Sequence, residues 1–194
     1  MRAFIGIPLP GDIRACLERL QRELAASGAD VKWVAPDHWH VTLKFLDEMS
    51  HEQRHAVEAL LARLVRREAP FQIRLEGLGA FPSMQAPRVV WVGITQGNEA
   101  LARLAGAIDR EGAALDLRAE ARAFSPHLTL GRVRSPRGRA ALARQLETTA
   151  WPAPAAWRVA SLVLYQSVLS PEGPHYTALA DIPLRGPLRA LKEI

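Results

Sequence analysis

Apolar and polar positions along the chain fall into short alternating runs and longer stretches of helical spacing, and together they predict a mixed fold. Residues 2–7, RAFIGI, read as a first strand, and LPGD then opens a helix over about 12–26 with Ile13, Cys16, Leu17 and Leu20 on one face. VKWV (31–34) and His40–Leu46 are predicted strands on either side of the turn Ala35-Pro36-Asp37. Ser50 is placed to cap a helix running to about Glu68, with Pro70 just beyond its end. Phe71–Leu78 is the next strand, followed by a Gly/Pro-rich link, GLGAFPSMQAPR, and a strand at Val89–Thr95. The pattern then predicts a helix near 98–113, a short strand before Ser125, a strand at His127–Val133, a helix near 137–149 and a strand at Val159–Tyr165. Residues 161–184 add a hairpin around Pro171-Glu172-Gly173-Pro174.

The second half of the chain repeats the first. An offset of 87 residues aligns Gly6 with Gly93, Ile7 with Ile94, Leu17 with Leu104, His40 with His127, Thr42 with Thr129 and Leu43 with Leu130. We therefore expect one domain, residues 1–194, made of two pseudo-symmetric lobes. The repeat contains HVTL at 40–43 and HLTL at 127–130. Strand alternation points His38, His40 and Thr42 to one face and Trp39, Val41 and Leu43 to the other. A single such strand is readily explained as a wet sheet face. Two copies, each with threonine two residues after histidine, point to one groove lined by both His/Thr faces.

Two imidazoles across a groove can divide acid and base work, and each threonine hydroxyl can hold a non-bridging oxygen between them. That set suits in-line displacement at phosphorus without a metal. Arg132 follows the second motif and can carry phosphate charge. Strict alternation, however, places Arg132 with Leu128 and Leu130, so it reaches the groove only where the strand ends or bulges.

Composition adds limits. The chain of 194 residues is 48% apolar and 23% charged, which is enough for one packed core. Cys16 is the single cysteine, so neither a disulfide framework nor a cysteine zinc site is available. The short N-terminal apolar run meets Pro8 and Pro10 at once, and no stretch approaches the roughly 18 apolar residues that span a bilayer. We expect a cytoplasmic protein with no membrane contact. The net charge is +5, and all but three of the basic residues are arginine. That surplus fits a phosphate ligand or a merely solvated surface, and by itself selects neither.

RAFIGIPLP, WVAPDHWHVTLKFL, AFPSMQAPRVVWVGI, FSPHLTLGRV and LYQSVLSPEGPHYTALADIPL are similar, nearly end to end, to the two-histidine phosphoesterases. Among these the chain looks like the bacterial and archaeal RNA 2′,3′-cyclic phosphodiesterases, also called 2′-5′ RNA ligases. The resemblance implies a bilobal α+β fold with antiparallel sheets forming a concave cleft and helices packed outside. It implies His40 and His127 as the acid–base pair, with Thr42, Thr129 and Arg132 on the phosphate. By analogy His127 activates water and His40 protonates the 3′ oxygen. The implied substrate is RNA or an oligonucleotide ending in a 2′,3′-cyclic phosphate, opened to a 2′-phosphomonoester by a monomer with no cofactor and no metal. 2′-5′ ligation is expected as a side activity. One departure is Asp47, where the family usually has glycine after KFL.

Other readings compete. His51-Glu52-Gln53-Arg54-His55 satisfies the H-E-x-x-H zinc-hydrolase pattern. Val57, Leu60, Leu61 and Leu64 define the buried face of that helix, which leaves His51 and His55 on its exposed or flanking surface. His38 and His40 could pair on a metal, but His38 aligns with Ser125 and reads as a bystander at the strand mouth. His175 reads as a surface residue. A basic, non-catalytic RNA-binding module would use the arginines of RVRSPRGR (132–139) and stacking by Trp39, Phe45 or Phe81. All three aromatics are expected in the core, and binding alone does not call for two mirrored His/Thr pairs.

Overall fold

The chain opens with β1 (Arg2–Pro8), α1 (Gly11–Ala25), β2 (Val31–Trp33), β3 (His40–Glu48), α2 (His51–Leu64) and β4 (Phe71–Phe81). It continues with β5 (Val89–Gln96), α3 (Asn98–Gly112), β6 (His127–Val133), α4 (Arg139–Thr148), β7 (Ala155–Val159), β8 (Ser161–Ser170) and β9 (Gly173–Pro183). This computed structural model describes residues 1–121, 123–151, 155–170 and 173–187. Local chemistry accounts for the helix ends. Ser50 accepts the Gln53 backbone N–H while the Gln53 side chain accepts the Ser50 N–H, a complete capping box for α2. α1 begins after Pro10 with Asp12 in its first turn, where a carboxylate complements the helix dipole.

Two antiparallel sheets take all nine of these strands, in the orders β3-β1-β8-β9 and β2-β6-β5-β4-β7. The first half runs β1-α1-β2-β3-α2-β4 and the second β5-α3-β6-α4-β7-β8-β9, and in each the first long strand after the second helix joins the sheet of the other half's first strand. Thus β4 pairs with β5, and β8 pairs with β1. Neither half completes its sheet alone, which ties the two lobes together. The sheets and the apolar faces of the four α-helices bury one continuous core, with Ile5, Leu17, Val41, Leu61, Ile73, Val92, Leu101, Leu130 and Leu164 among its members. Cys16 belongs to the buried face of α1. The expected duplicated α+β architecture with antiparallel sheets is what the structure shows. No helix among the described residues is long and apolar enough to cross a membrane.

Three segments differ from the expectation. GLGAF is not a link but the end of β4: a bulge between Leu75 and Leu78, with Gly77 at φ +80°, carries the strand on to Phe81. The single predicted strand Val159–Tyr165 is two strands, because the chain leaves one sheet after Val159 and joins the other at Ser161. Among the described residues between α3 and β6 there is no strand, so the short one expected before Ser125 is absent. There the Arg118 carbonyl accepts from Lys44 Nζ at 2.7 Å and the Glu120 N–H donates to Asp109 at 3.1 Å, so side chains hold the segment in place of a ladder. The hairpin joins β8 to β9 as expected, although Pro171 and Glu172 lie outside the described residues.

Candidate active site

The site is built by one irregularity that occurs twice. In β3, Thr42 pairs with Gly6 and Lys44 with Ile5, so Leu43 has no partner. In β6, Thr129 pairs with Trp91 and Gly131 with Val90, so Leu130 has none. An unpaired residue resets the alternation of faces. Leu43 and Lys44 are therefore both buried, as are Leu130 and Gly131, and the next residue of each strand emerges on the His/Thr face. Those residues are Phe45 and Arg132, which stand in equivalent positions of the repeat. The bulge that Arg132 requires is present. It also overturns the placement of Phe45 in the core with Val41 and Leu43, since Phe45 is 58% exposed. The strands beside the two motifs keep their faces but slip by two residues: Gly6 lies opposite Thr42, whereas Gly93 lies opposite His127.

His40, Thr42, His127, Thr129 and Arg132 line one cavity of about 340 Å³. Each imidazole is held the same way. Nδ1 of His40 lies 2.8 Å from the His38 carbonyl, and Nδ1 of His127 lies 2.8 Å from the Ser125 carbonyl. A carbonyl only accepts, so both Nδ1 atoms carry their hydrogen and the other ring nitrogen, Nε2, is left to exchange a proton with a ligand. The hydroxyls of Thr42 and Thr129 have no hydrogen-bond partner among the described residues, nor has the guanidinium of Arg132. These are free donors around a shared space. At the second bulge, Leu130 O accepts from Val34 N–H at 2.8 Å and from Gln21 Nε2 at 3.2 Å, which leaves the bulged carbonyl satisfied.

The two rings sit in different surroundings. His40 stacks on Phe4 with centroids 4.4 Å apart and meets the edge of Tyr176 at 5.4 Å. This aromatic cage strips water from the ring, and burial pushes its pKa down to about 4, against the backbone hydrogen bond that favours the charged form. His127 meets Phe81 edge-on at 5.2 Å, and Phe81 is 37% exposed, another departure from its expected place in the core. Trp39 is buried as expected. His38, expected as a bystander at the strand mouth, is placed at the cavity wall. Its ring lies 4.9 Å from Tyr176, and its carbonyl fixes His40, a role Ser125 repeats in the other lobe. Equivalence of backbone carbonyls at the second residue before each histidine was readable only with strand geometry in hand.

Residues singled out by other motifs lie elsewhere. His51 and His55 project from α2 into solvent, with Val57, Leu60, Leu61 and Leu64 on the opposite, buried face. Among the described residues no group of three or more His, Cys, Asp or Glu side chains is placed to hold a metal ion. His175 is exposed opposite Val168. Of the arginines in RVRSPRGR, Arg134 is tied to Asp30 at 2.7 Å. Asp47 sits at φ 49°, in the left-handed region that suits glycine and that aspartate tolerates better than most residues, so the turn keeps a glycine-like geometry. Its carboxylate lies 3.9 Å from Arg118.

Comparison with known proteins matches the chain to the family model described as LigT like phosphoesterase twice, over residues 7–91 and 92–176. It is 34% identical to an RNA 2′,3′-cyclic phosphodiesterase of Methanothermobacter thermautotrophicus, over 91% of this chain and 95% of that protein. Identity to the RNA 2′,3′-cyclic phosphodiesterase of Thermus thermophilus is 37%, over 96% of this chain and 91% of the relative. Among solved structures it resembles E. coli LigT complexed with 3′-AMP, with a TM-score of 0.75 and 29% identity, covering 94% of this chain and 97% of that one.

Proposed function

The chain belongs to the LigT like phosphoesterase family, and from that membership we propose that it hydrolyses the 2′,3′-cyclic phosphate at the end of RNA to a 2′-phosphomonoester. The observation that carries the reading is the convergence of two His/Thr pairs and Arg132 on one cavity, with both imidazoles held in the same tautomer. Thr42 and Thr129 donate to the non-bridging oxygens, and Arg132 balances their charge. His127 takes a proton from water as its oxygen bonds to phosphorus. The P–O3′ bond breaks, and O3′ takes the proton held by His40. A 5′-hydroxyl in place of water gives a 2′-5′ linkage by the same bond changes, and we read ligation as a side activity. All five residues come from one chain, so a monomer of two pseudo-symmetric lobes suffices. We place its action in the cytoplasm.

His40 is neutral near pH 7 in the free protein, so its acid role requires that the imidazole take up a proton from solvent as the anionic substrate binds. A bound phosphodiester supplies the negative charge that raises the pKa of an imidazole beside it. NMR titration is expected to place His40 near 4 in the free protein and distinctly higher with a bound 2′-nucleotide, with proton uptake on binding near pH 6. The unfolded chain has His40 at an ordinary value of roughly 6.5 and binds the proton more readily than the folded one. Its contribution to stability is therefore whole above that value and is lost as pH falls toward 4. A free-state pKa in the ordinary range contradicts the cage account. A ligand that leaves His40 neutral transfers the base role to it.

Phe45 stands on the reactive face beside the phosphate groups, where a nucleobase can stack on it. Base–aromatic stacking is worth about 1–3 kcal/mol, so Phe45→Ala is expected to raise KM for a nucleoside cyclic phosphate roughly tenfold while kcat changes little. An unchanged KM removes the base from this position.

A further inference from the structure

A second cavity, of about 470 Å³, adjoins the reactive one. The two share Phe45, Arg132 and Tyr176 in their walls. On its far side the second cavity is lined by Arg2 and Arg118, with Asp47 and Glu120 as its carboxylates. Arg2 and Arg132 have no ion pair or hydrogen bond among the described residues. The Arg118 guanidinium reaches Asp47 only at 3.9 Å, with 84% of its side chain exposed. Three guanidiniums thus face one space with two carboxylates, and two of the three are uncommitted. Like charges gathered this way repel until an anion joins them, and the guanidinium fork matches phosphate oxygens. The phosphate held by the histidines and threonines accounts for Arg132 but leaves Arg2 and Arg118 without a function.

A polynucleotide carries a further phosphate for each nucleotide. If the terminal phosphate lies between His40 and His127 and the base on Phe45, the second cavity is the neighbouring space, across the wall that Phe45, Arg132 and Tyr176 share. We propose that the second cavity binds the phosphodiester on the 5′ side of the terminal nucleoside through Arg2 and Arg118, making the enzyme selective for RNA ends over free nucleoside cyclic phosphates. This rests on the cyclic phosphodiesterase reading above.

The test compares a nucleoside 2′,3′-cyclic phosphate with the same nucleoside carrying a 5′-phosphate, and with a dinucleotide ending in the cyclic phosphate. Wild type is expected to favour the two 5′-phosphorylated substrates in kcat/KM by about tenfold, mainly through KM. The double variant Arg2→Gln/Arg118→Gln should lose that preference while its kcat/KM on the bare nucleoside cyclic phosphate stays unchanged. The variant should also flatten the dependence of log KM on log salt for the dinucleotide, since fewer charge contacts remain to be screened. Equal use of the three substrates by wild type overturns the proposal, as does a preference that survives in the double variant. So does a preference abolished by Lys32→Gln alone, which sends the strand out past β2. Failure of wild type to open any cyclic phosphate overturns the underlying activity, and is distinct from these results because the bare nucleoside substrate reports it alone.

Discussion

His40→Ala and His127→Ala are each expected to lower kcat on a 2′,3′-cyclic nucleotide by at least about 10²-fold, the lower end of what a positioned acid or base contributes. Neither ring is needed for folding in the way a core residue is. Both lie half-buried at a cavity wall, and each makes a hydrogen bond only to a backbone carbonyl. Far-UV circular dichroism should therefore stay close to wild type in both while turnover collapses, with some lowering of the melting transition only in His40→Ala, which empties the cage against Phe4 and Tyr176. Loss in the double variant should be much less than the product of the single losses, because the two act as one unit. Turnover that survives in both single variants removes the two-histidine mechanism. The pH–rate profile should be bell-shaped, and its limbs belong to the coupled pair.

The largest effect on stability is expected away from the chemistry, at Lys44 and Asp109. Lys44 is only 2% exposed, and its ammonium donates to Asp109 Oδ1 at 2.6 Å and to the Arg118 carbonyl at 2.7 Å. The hydrogen bond from Lys44 is the chief cause that holds the Asp109 carboxyl below the usual range. This one pair joins β3 of the first lobe to α3 of the second and pins residues 118–120, which wall the second cavity. Removing one member of a buried pair costs about 3–5 kcal/mol, because the charge left behind has lost its hydration and its partner. The residue left behind matters. Asp109→Ala strands an ammonium in the core, whereas Lys44→Met leaves a carboxylate that reaches solvent. Asp109→Ala should be the more damaging, and adding Lys44→Met to it should restore part of the loss. Denaturant titration of the three variants checks this, and additive losses contradict it.

Much of this was legible in the residues themselves. Alternation and helical spacing located the strands and helices, because each element buries one face. The repeated H-x-T-L pointed to a shared groove, because chemistry split between two groups needs both copies. What escaped were features decided by tertiary pairing. Strict alternation buries Phe45, and only a ladder with Leu43 unpaired turns it to the reactive face. The same irregularity, one repeat later, brings Arg132 around. The segment before Ser125 has apolar residues suited to a strand, yet the side chains of Lys44 and Asp109 claim its backbone groups instead of a neighbouring ladder. His38 looked idle because its contribution is a carbonyl, which every residue possesses.

The most direct test of the central claim is the identity of the product. The protein, treated with EDTA, is incubated with a nucleoside 2′,3′-cyclic phosphate, and the phosphate position is read by ³¹P NMR. Complete conversion to the 2′-phosphomonoester is expected, at a rate unaffected by the chelator. A 3′-phosphomonoester, activity restored only by zinc, or tight RNA binding with no ring opening would contradict the two-histidine mechanism.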